Sequence, residues 1–433
     1  MRTIRRLLFL LAGFVGVALA GPDLPDPLTL DAALAAVDEE HPLIASARAE
    51  AASAAADQAL AAARDDLNLD LAIEARRVES YESSPYRDHD DSHAFIRLRK
   101  TLYDFGRTRE GIAAGEKLRR AREILVRHSK QRLRLDIMRR FFDVLLADLE
   151  AARANEAMSI SFVRLDNARE KFKLGELSDI DVLRFENRYQ SDLLERGRAE
   201  DHQRQTRARL ALTLNRPDDL PSDVEAPELP GLKKALPDYD ALLAELYRNN
   251  LTLAALRLER ESLLAAVEAE KAEGRPDLYV QLQANAWRQE TGFRRPFSAV
   301  LGLDMPLYRG DRTRAAVAGK KAALAQLDAE VRRTQFTLRQ QLLETWQSIQ
   351  TLQKQLHRAE VQRDFRDLDL DRARARYELE MDANLGDAMT LQSAARKFAA
   401  QTRFDLALAR ERLAQLTQNP AYSALQPSTE TPP

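Results

Sequence analysis

Metal binding is the first chemistry that the residue types and their spacing suggest. His89, Asp90, Asp91 and His93 lie close together in the sequence, and imidazole and carboxylate groups are common metal ligands. They follow a polar stretch, "SYESSPYRDHDD" from Ser80, and loops exposed to water are rich in such residues. We therefore expect no metal and no other cofactor here.

Enzyme chemistry finds no support in the sequence. The chain contains no cysteine, which excludes thiolate nucleophiles and thiolate metal sites. No nucleophile has a recognisable base at a suitable position. The 66 basic and 68 acidic side chains give a net charge of −2, so nucleic acid is not an expected partner. We predict no catalytic residue and no enzyme.

The first 20 residues have the pattern of an export signal. Arg2, Arg5 and Arg6 precede the apolar run "LLFLLAGFVGVALA", which ends in a small-residue site at Ala18-Leu19-Ala20. This pattern is typical of a secretory signal peptide. The alternative is an uncut anchor, but the run is shorter than the about 20 residues that a membrane helix needs. We expect export without lipidation, because no cysteine is available.

One short motif occurs twice. "LYDFGRTRE" begins at Leu102 and "LYRGDRTRA" begins at Leu307, an offset of 205 residues. The same offset relates "LDNAREKFKLGELSDIDVL" from Leu165 to "LDRARARYELEMDANLGDAM" from Leu370. An offset kept through several segments predicts an internal duplication. The residues that mark the two motifs as sharp strand-to-helix corners are Tyr103, Gly106, Arg107, Tyr308, Gly310 and Arg312.

Each copy of the duplication is predicted to contain a helix, two strands, a very long helix, a tight turn and a returning helix. Repeat 1 covers residues 21–214 and repeat 2 covers residues 238–417, separated by a linker, 215–237, that contains five prolines. Residues 418–433 are predicted to be a disordered tail. The predicted elements are a first helix over about 29–65, strands over about 67–79, 92–103, 277–288 and 297–308, and helical hairpins over about 107–214 and 311–417.

The predicted strands alternate polar and apolar residues, which gives each strand one polar face. Arg97, Arg99 and Lys100 of the second strand either line a lumen or pair across the ladder with Asp70 and Glu74; we favour pairing. The long helices would extend about 100 Å, more than a globular core is thick. Four strands leave two unpaired edges in a membrane. Two copies would close a filled eight-stranded barrel, and three copies would close a conducting twelve-stranded one.

The sequence resembles the TolC-type outer-membrane efflux protein family over nearly the whole mature chain. The resemblance is carried by "LTLDAALAAVDEEHPLIASARAEAASAAA", by the corners "LYDFGRTR" and "PLYRGDRTR", and by the hairpin "KFKLGELSDIDVLRFENR". It implies a mainly helical fold with a small β part. It also implies a homotrimer in which a twelve-stranded outer-membrane β-barrel continues as an α-helical periplasmic barrel. The implied partners are a periplasmic adaptor, an inner-membrane pump or ABC exporter, and outer-membrane lipid.

The resemblance also implies roles for the hairpin tips. Asp387 matches the acidic residue of the family's periplasmic gate, with Asp181 as its counterpart in repeat 1; helix N-capping is the alternative for such an aspartate. The resemblance also leads us to expect a second acidic residue three positions after Asp387. That position is Thr390, so Asp382 or Glu380 would have to supply the second acidic group. The tips implied to meet the adaptor contain Leu174, Gly175, Ser178, Asn384 and Gly386.

The predicted function is a passive outer-membrane conduit of a tripartite efflux or type I secretion system. The alternative is a structural coiled-coil protein of the periplasm, which would need sustained heptads. Six His, six Met and no Cys form no cluster that would mark a copper or silver exporter. The cargo is therefore not predicted.

Overall fold

A computed structural model of the protein describes residues 24–36, 40–77, 90–217, 223–288, 295–379 and 384–426. The predicted signal peptide and Asp382 lie outside these ranges. The described part of the chain is mainly helical with one four-stranded antiparallel sheet, so the prediction of a mainly helical fold with a small β part is confirmed. Its two halves contain the same elements in the same order.

Repeat 1 has two helices before its strands and a helical hairpin after them. Its elements are α1 (Leu30–Ala35), α2 (Pro42–Ala62), β1 (Asn68–Glu74), β2 (His93–Tyr103), α3 (Arg107–Lys173) and α4 (Asp179–Thr213). α3 has 67 residues, and at 1.5 Å per residue it extends about 100 Å. No proline interrupts it.

Repeat 2 repeats this arrangement. Its elements are α5 (Tyr239–Asn249), α6 (Leu251–Ala272), β3 (Asp277–Trp287), β4 (Phe297–Asp304), α7 (Arg312–Glu378) and α8 (Leu385–Thr417). α7 has 67 residues, the same number as α3. Pro306 follows β4 closely and, with no N–H to donate, it cannot extend the ladder.

The strands form one sheet in the order β1-β2-β3-β4, so β1 and β4 are its edges. One register row contains Asp70, Arg97, Gln283 and Ser298, and the next contains Leu71, Ile96, Ala284 and Phe297. Because successive side chains point to opposite faces, the sheet has one polar face and one apolar face. Several side chains of the apolar face are exposed, among them Leu71 at 68% and Leu301 at 71%.

The hydrophobic core lies near the middle of the long helices, where both repeats meet. Phe142 of α3 stacks on Phe404 of α8 with ring centroids 4.4 Å apart. Leu242 and Leu246 of α5 and Leu413 of α8 are fully buried in the same cluster. The core therefore holds the two halves together at the waist of the helical hairpins.

The prediction of a single helix over 29–65 is wrong, because this segment contains two helices, α1 and α2. α2 begins at Pro42, and the His41 side chain accepts a hydrogen bond from the Leu43 N–H at 3.2 Å. Pro42 has no N–H to continue a preceding helix. The first strand is also shorter than predicted: β1 ends at Glu74, and residues 78–79 lie outside the described part of the chain.

The prediction of a disordered tail is wrong for residues 418–426. Ala424 is fully buried, and its carbonyl accepts a hydrogen bond from the Gly231 N–H at 3.0 Å. A Cβ on Gly231 would lie 2.5 Å from the Ser423 carbonyl oxygen. The described end of the linker, residues 223–237, contains a short 3₁₀ helix at Pro230–Lys233. The two proline-containing segments pack against each other, a contact that local sequence does not reveal.

Candidate functional site

The first strand-to-helix corner is a network of charged groups that joins the two repeats. Arg107 lies 3.1 Å from Asp277 and 3.8 Å from Glu273. Its side chain is 17% exposed. Glu273 also contacts Arg64 at 3.3 Å. The end of α6 and the start of β3 thus surround the first corner.

Asp104 organises the turn into α3. Its carboxylate accepts hydrogen bonds from the Gly106 N–H at 3.1 Å and from the Thr108 N–H at 2.6 Å. Gly106 has φ +99°, a conformation that favours glycine. Burial alone would raise the pKa of Asp104, but the hydrogen bonds from Thr108 and Gly106 and the charge of Arg107 outweigh it and lower that pKa. The sequence analysis missed Asp104, although an aspartate before a helix is a recognised capping signal.

The second corner has a sparser network, in which Arg309 lies 3.8 Å from the Glu273 carboxylate of its own repeat and donates to the Glu273 carbonyl at 3.3 Å. Gly310 has φ +63° and makes the turn, and Asp311 pairs only locally with Arg314 at 2.7 Å. Tyr308 is 89% exposed. Arg312, the counterpart of Arg107, is exposed and has no ion pair within the described ranges. The duplicated motif therefore produces one enclosed corner and one open corner.

The polar face of the sheet contains a cluster near the corners. Arg99 lies over the Tyr279 ring at 3.8 Å and pairs with Asp304 at 3.1 Å. A Cβ on Gly302 would lie 2.4 Å from the Tyr279 ring, so glycine at position 302 leaves the space that this ring occupies. The favoured pairing of Arg97, Arg99 and Lys100 with Asp70 and Glu74 is wrong, because Arg99 pairs with Asp304 and Glu74 pairs with Arg76. Asp70 faces Arg97 in the register, yet no ion pair joins them in this structure.

The suspected metal ligands make other contacts. Asp90 pairs with Arg288 at 2.8 Å, Asp91 with Arg76 at 3.5 Å, and the His93 ring stacks on Trp287 at 4.1 Å. His89 lies outside the described residues. In the ranges that the structure covers, no group of three His, Asp or Glu side chains is arranged to hold a metal ion.

The tip of the first hairpin is a tight, well-capped turn. Gly175 has φ +75°, and its N–H donates to the Phe172 carbonyl at 2.9 Å. The Asp181 carboxylate accepts hydrogen bonds from the hydroxyl of Ser178 at 2.5 Å and from its N–H at 3.3 Å. The hydrogen bond from the Ser178 side chain lowers the pKa of Asp181. Leu174 is 74% exposed, which leaves an apolar side chain at the end of the hairpin.

The start of α8 rests on α3 of the other repeat. A Cβ on Gly386 would lie 2.6 Å from Cγ2 of Ile160, so only glycine allows this approach. Asp387 pairs with Arg164 at 2.7 Å. Asn384 precedes the first turn of α8 and its carbonyl accepts the Ala388 N–H at 3.0 Å. Asp387 thus bonds to repeat 1 rather than capping its own helix.

More polar contacts follow the same seam between α3 and α8. Lys397 lies 2.8 Å from Glu150, and Ser393 hydrogen-bonds to Glu156. The hydrogen bond from Arg153, reinforced by Lys397, outweighs burial and lowers the pKa of Glu150 to about 2. The sequence analysis missed Arg164, Glu150 and Glu156. Their partners on α8 lie more than 200 residues away, and no local pattern marks these contacts.

Among the helices in the described ranges, none combines the length and the apolar character needed to cross a membrane.

Comparison with known proteins identifies the second repeat by sequence. Residues 242–419 match the sequence model of the family described as outer membrane efflux protein. A comparison with curated proteins finds no match. The matched residues include β3, β4, the second corner and the second hairpin.

Comparison with solved structures identifies the fold of nearly the whole chain. The outer membrane protein VceC of Vibrio cholerae is 16% identical, with 92% of this chain and 96% of that chain covered and a TM-score of 0.69. The CmeC outer membrane channel of Campylobacter jejuni is 12% identical, with coverage of 93% and 87% and a TM-score of 0.72. The MtrE outer membrane channel of Neisseria gonorrhoeae is 16% identical, with coverage of 93% and 91% and a TM-score of 0.67. The predicted resemblance is confirmed, by sequence for the second repeat and by fold for nearly the whole chain.

Proposed function

We infer that this chain, whose second repeat matches the outer membrane efflux protein family, forms the outer-membrane channel of an efflux or type I secretion system. In this proposal it is a passive conduit rather than an enzyme. It crosses the outer membrane through its sheet and extends into the periplasm through its long helices. The inner-membrane component supplies the energy and selects the cargo.

The observation that carries the proposal is the joining of an open sheet to very long helices at two sharp corners. The four-stranded sheet has free edges at β1 and β4, and its exposed apolar face includes Leu69, Leu71 and Leu301. In a membrane the apolar face suits contact with lipid, while the free edges need further strands. Copies of the same chain can supply those strands.

We propose that the assembly is a homotrimer. Three copies of this sheet would give twelve strands, enough to leave an open bore, whereas eight strands leave room only for side chains. Exposed apolar side chains on the long helices, such as Phe365 and Leu368 on α7, agree with burial against other copies. The helices would continue the barrel as a tube.

The hairpin tips are the proposed docking region for a periplasmic adaptor. Leu174 and Gly175 end the first hairpin, and Ser178 begins the returning helix. Asn384 and Gly386 begin α8 in the second hairpin. Both tips lie at the ends of the helices that are farthest from the sheet, where a periplasmic partner would reach them.

Asp387 is the proposed gate residue. Its ion pair with Arg164 holds the start of α8 against α3, so opening would require this contact to move. Copies of Asp387 around a symmetry axis would also concentrate negative potential and favour cations. Asp382 lies outside the described residues, and Asp181 is engaged by Ser178 at the other tip.

Native mass spectrometry of protein extracted from outer membranes with detergent tests the proposed function. We expect a trimer that requires detergent. A monomer that remains dissolved without detergent would support the structural periplasmic protein instead.

A further inference from the structure

We propose that the second corner of one copy docks on the α2–β1 connection of a neighbouring copy, where Arg312 pairs with Asp66 of that copy. The inference rests on the proposed multi-copy assembly and goes beyond it by naming the interface residues. Within the described part of one chain, the first corner contacts the α6–β3 connection, whereas the second corner makes no equivalent contact with the α2–β1 connection.

The contact that the chain makes is between α3 of repeat 1 and α6 of repeat 2. Lys117 lies 2.5 Å from Glu261, and Arg122 lies 2.9 Å from Glu259. The Ser262 hydroxyl donates to the Ala114 carbonyl at 2.7 Å. The long helix of one repeat therefore packs on the short helix of the next repeat.

The same contact continues to the first corner. The α6–β3 connection supplies Glu273 and Asp277 to Arg107, and Arg275 donates to the Phe105 carbonyl at 2.7 Å. Arg107 thus finds its acidic partners between the short helix and the first strand of the following repeat.

The equivalent surface of repeat 2 is largely exposed, and Arg309 at its corner contacts Glu273 of the same repeat, at 3.8 Å, rather than another repeat. Arg312 is exposed, and Leu307 and Tyr308 are each 89% exposed. Farther along α7, Phe336 is 71% exposed, and a Cβ on Gly319 would meet no other atom within 4 Å. The Arg312 cation and several apolar side chains of repeat 2 are thus free to contact another copy.

The α2–β1 connection has the matching chemistry. It is the counterpart of the α6–β3 connection, since each joins the short helix of a repeat to its first strand. Asp66 is exposed there and makes no ion pair in the described part of the chain. Leu60 and Leu67 beside it are 71% and 56% exposed. A carboxylate flanked by apolar side chains complements Arg312, Leu307 and Tyr308.

The pairing cannot form within one chain of this fold. Asp66 precedes β1 and Arg312 follows β4, and these strands are opposite edges of the sheet. Three strand spacings of about 4.8 Å separate the edges. A neighbouring copy that places its β1 beside β4 brings the two side chains together, so one contact fixes both the strand order and the helix packing.

Cysteine crosslinking tests the interface, because the natural chain has no cysteine to interfere. Chains with Arg312→Cys alone and chains with Asp66→Cys alone are co-expressed, purified as the full oligomer and treated with a short bis-maleimide. We expect a covalent dimer on a denaturing gel. Neither variant on its own should give one, because two identical positions do not meet at this interface.

The pair Arg107→Cys and Asp277→Cys in one chain is the matched control. In the native chain the Arg107 guanidinium lies 3.1 Å from the Asp277 carboxylate. The same reagent should therefore link the two cysteines within one chain, and peptide mass spectrometry would detect the link. An intact oligomer without the 312–66 link, in which the control pair reacts, overturns this inference and leaves the proposed function standing. A monomer would overturn both.

A charge exchange provides a second test in case the cysteine variants assemble poorly. Arg312→Asp should lower the temperature at which the oligomer dissociates, and adding Asp66→Arg should restore most of the loss. Rescue would support the pairing, because a change in another repeat would not restore a corner that is merely damaged. If Asp66→Arg restored none of the lost dissociation temperature, the pairing would be contradicted.

Discussion

Two aspartates at equivalent places in the duplication have different partners. Asp181 caps the first returning helix through Ser178, whereas Asp387 bonds to Arg164 of the other repeat. The capping role can be predicted from the local sequence, since "SDID" contains both partners. The ion pair of Asp387 cannot, because Arg164 is 223 positions away.

Asp387→Lys tests the proposed gate residue. Placing a second cation beside Arg164 replaces attraction by repulsion, so we expect higher resting conductance and a lower preference for cations in planar bilayers. Asp179→Lys makes the same change at an exposed acid in the first turn of α4 and should alter neither property. Unchanged ion preference in Asp387→Lys would remove this residue from the gate.

Glu150 should give part of the stability a dependence on acid pH. Its pKa is about 2 in the folded chain, below its ordinary value of 4.5. The stabilisation is therefore fully present above pH 4.5 and is lost as the pH falls towards 2. Glu150→Gln should cost on the order of 1–3 kcal/mol of unfolding free energy at pH 7, and the difference from the native chain should shrink near pH 3.

Thermal unfolding at the two pH values measures this effect. Glu170→Gln is the control, because the Glu170–Lys173 pair is more than 60% exposed and exposed pairs contribute little. An equal loss for Glu150→Gln at both pH values would show that its ionisation is not responsible.

At the scale of elements, hydrophobic periodicity and proline positions predict most of the architecture. The strands predicted over 92–103 and 277–288 correspond to His93–Tyr103 and Asp277–Trp287, because alternating faces give a clear signal. The prediction of a disordered tail is wrong because the linker residues that the tail contacts are distant in sequence. Gly231 and Glu411 contact Ser423 and Ala424, and neither contact leaves a local pattern.

Arg410 is the residue that attaches the linker to α8. It is fully buried, and its guanidinium donates to the carbonyls of Leu232, at 3.1 Å, and Lys234. Burial lowers its pKa to about 10, so it stays charged at neutral pH. Arg410→Met would leave both carbonyls without this donor, and we expect a loss of about 1–3 kcal/mol in unfolding free energy.

Limited proteolysis and thermal unfolding together measure that loss. The linker should be cleaved faster in Arg410→Met than in Arg412→Met, which changes an exposed arginine of the same helix. Equal cleavage in both variants would mean that Arg410 does not hold the linker.

For the whole molecule, the duplication agrees with the proposed assembly of several copies. Each repeat supplies two strands, a corner and a long hairpin, and repeat 1 completes its corner with residues of repeat 2. Among the described residues, repeat 2 receives no such contribution to its corner from another repeat. The repeat could be recognised in the sequence from its constant offset, but the difference between an enclosed and an open corner required the structure.

Conductance of the purified native oligomer in a planar lipid bilayer provides the strongest test that the protein is a channel. We expect discrete, reproducible conductance steps that are absent with lipid and detergent alone. Protein that inserts as assembled oligomer and yet gives no steps under any applied voltage would contradict it.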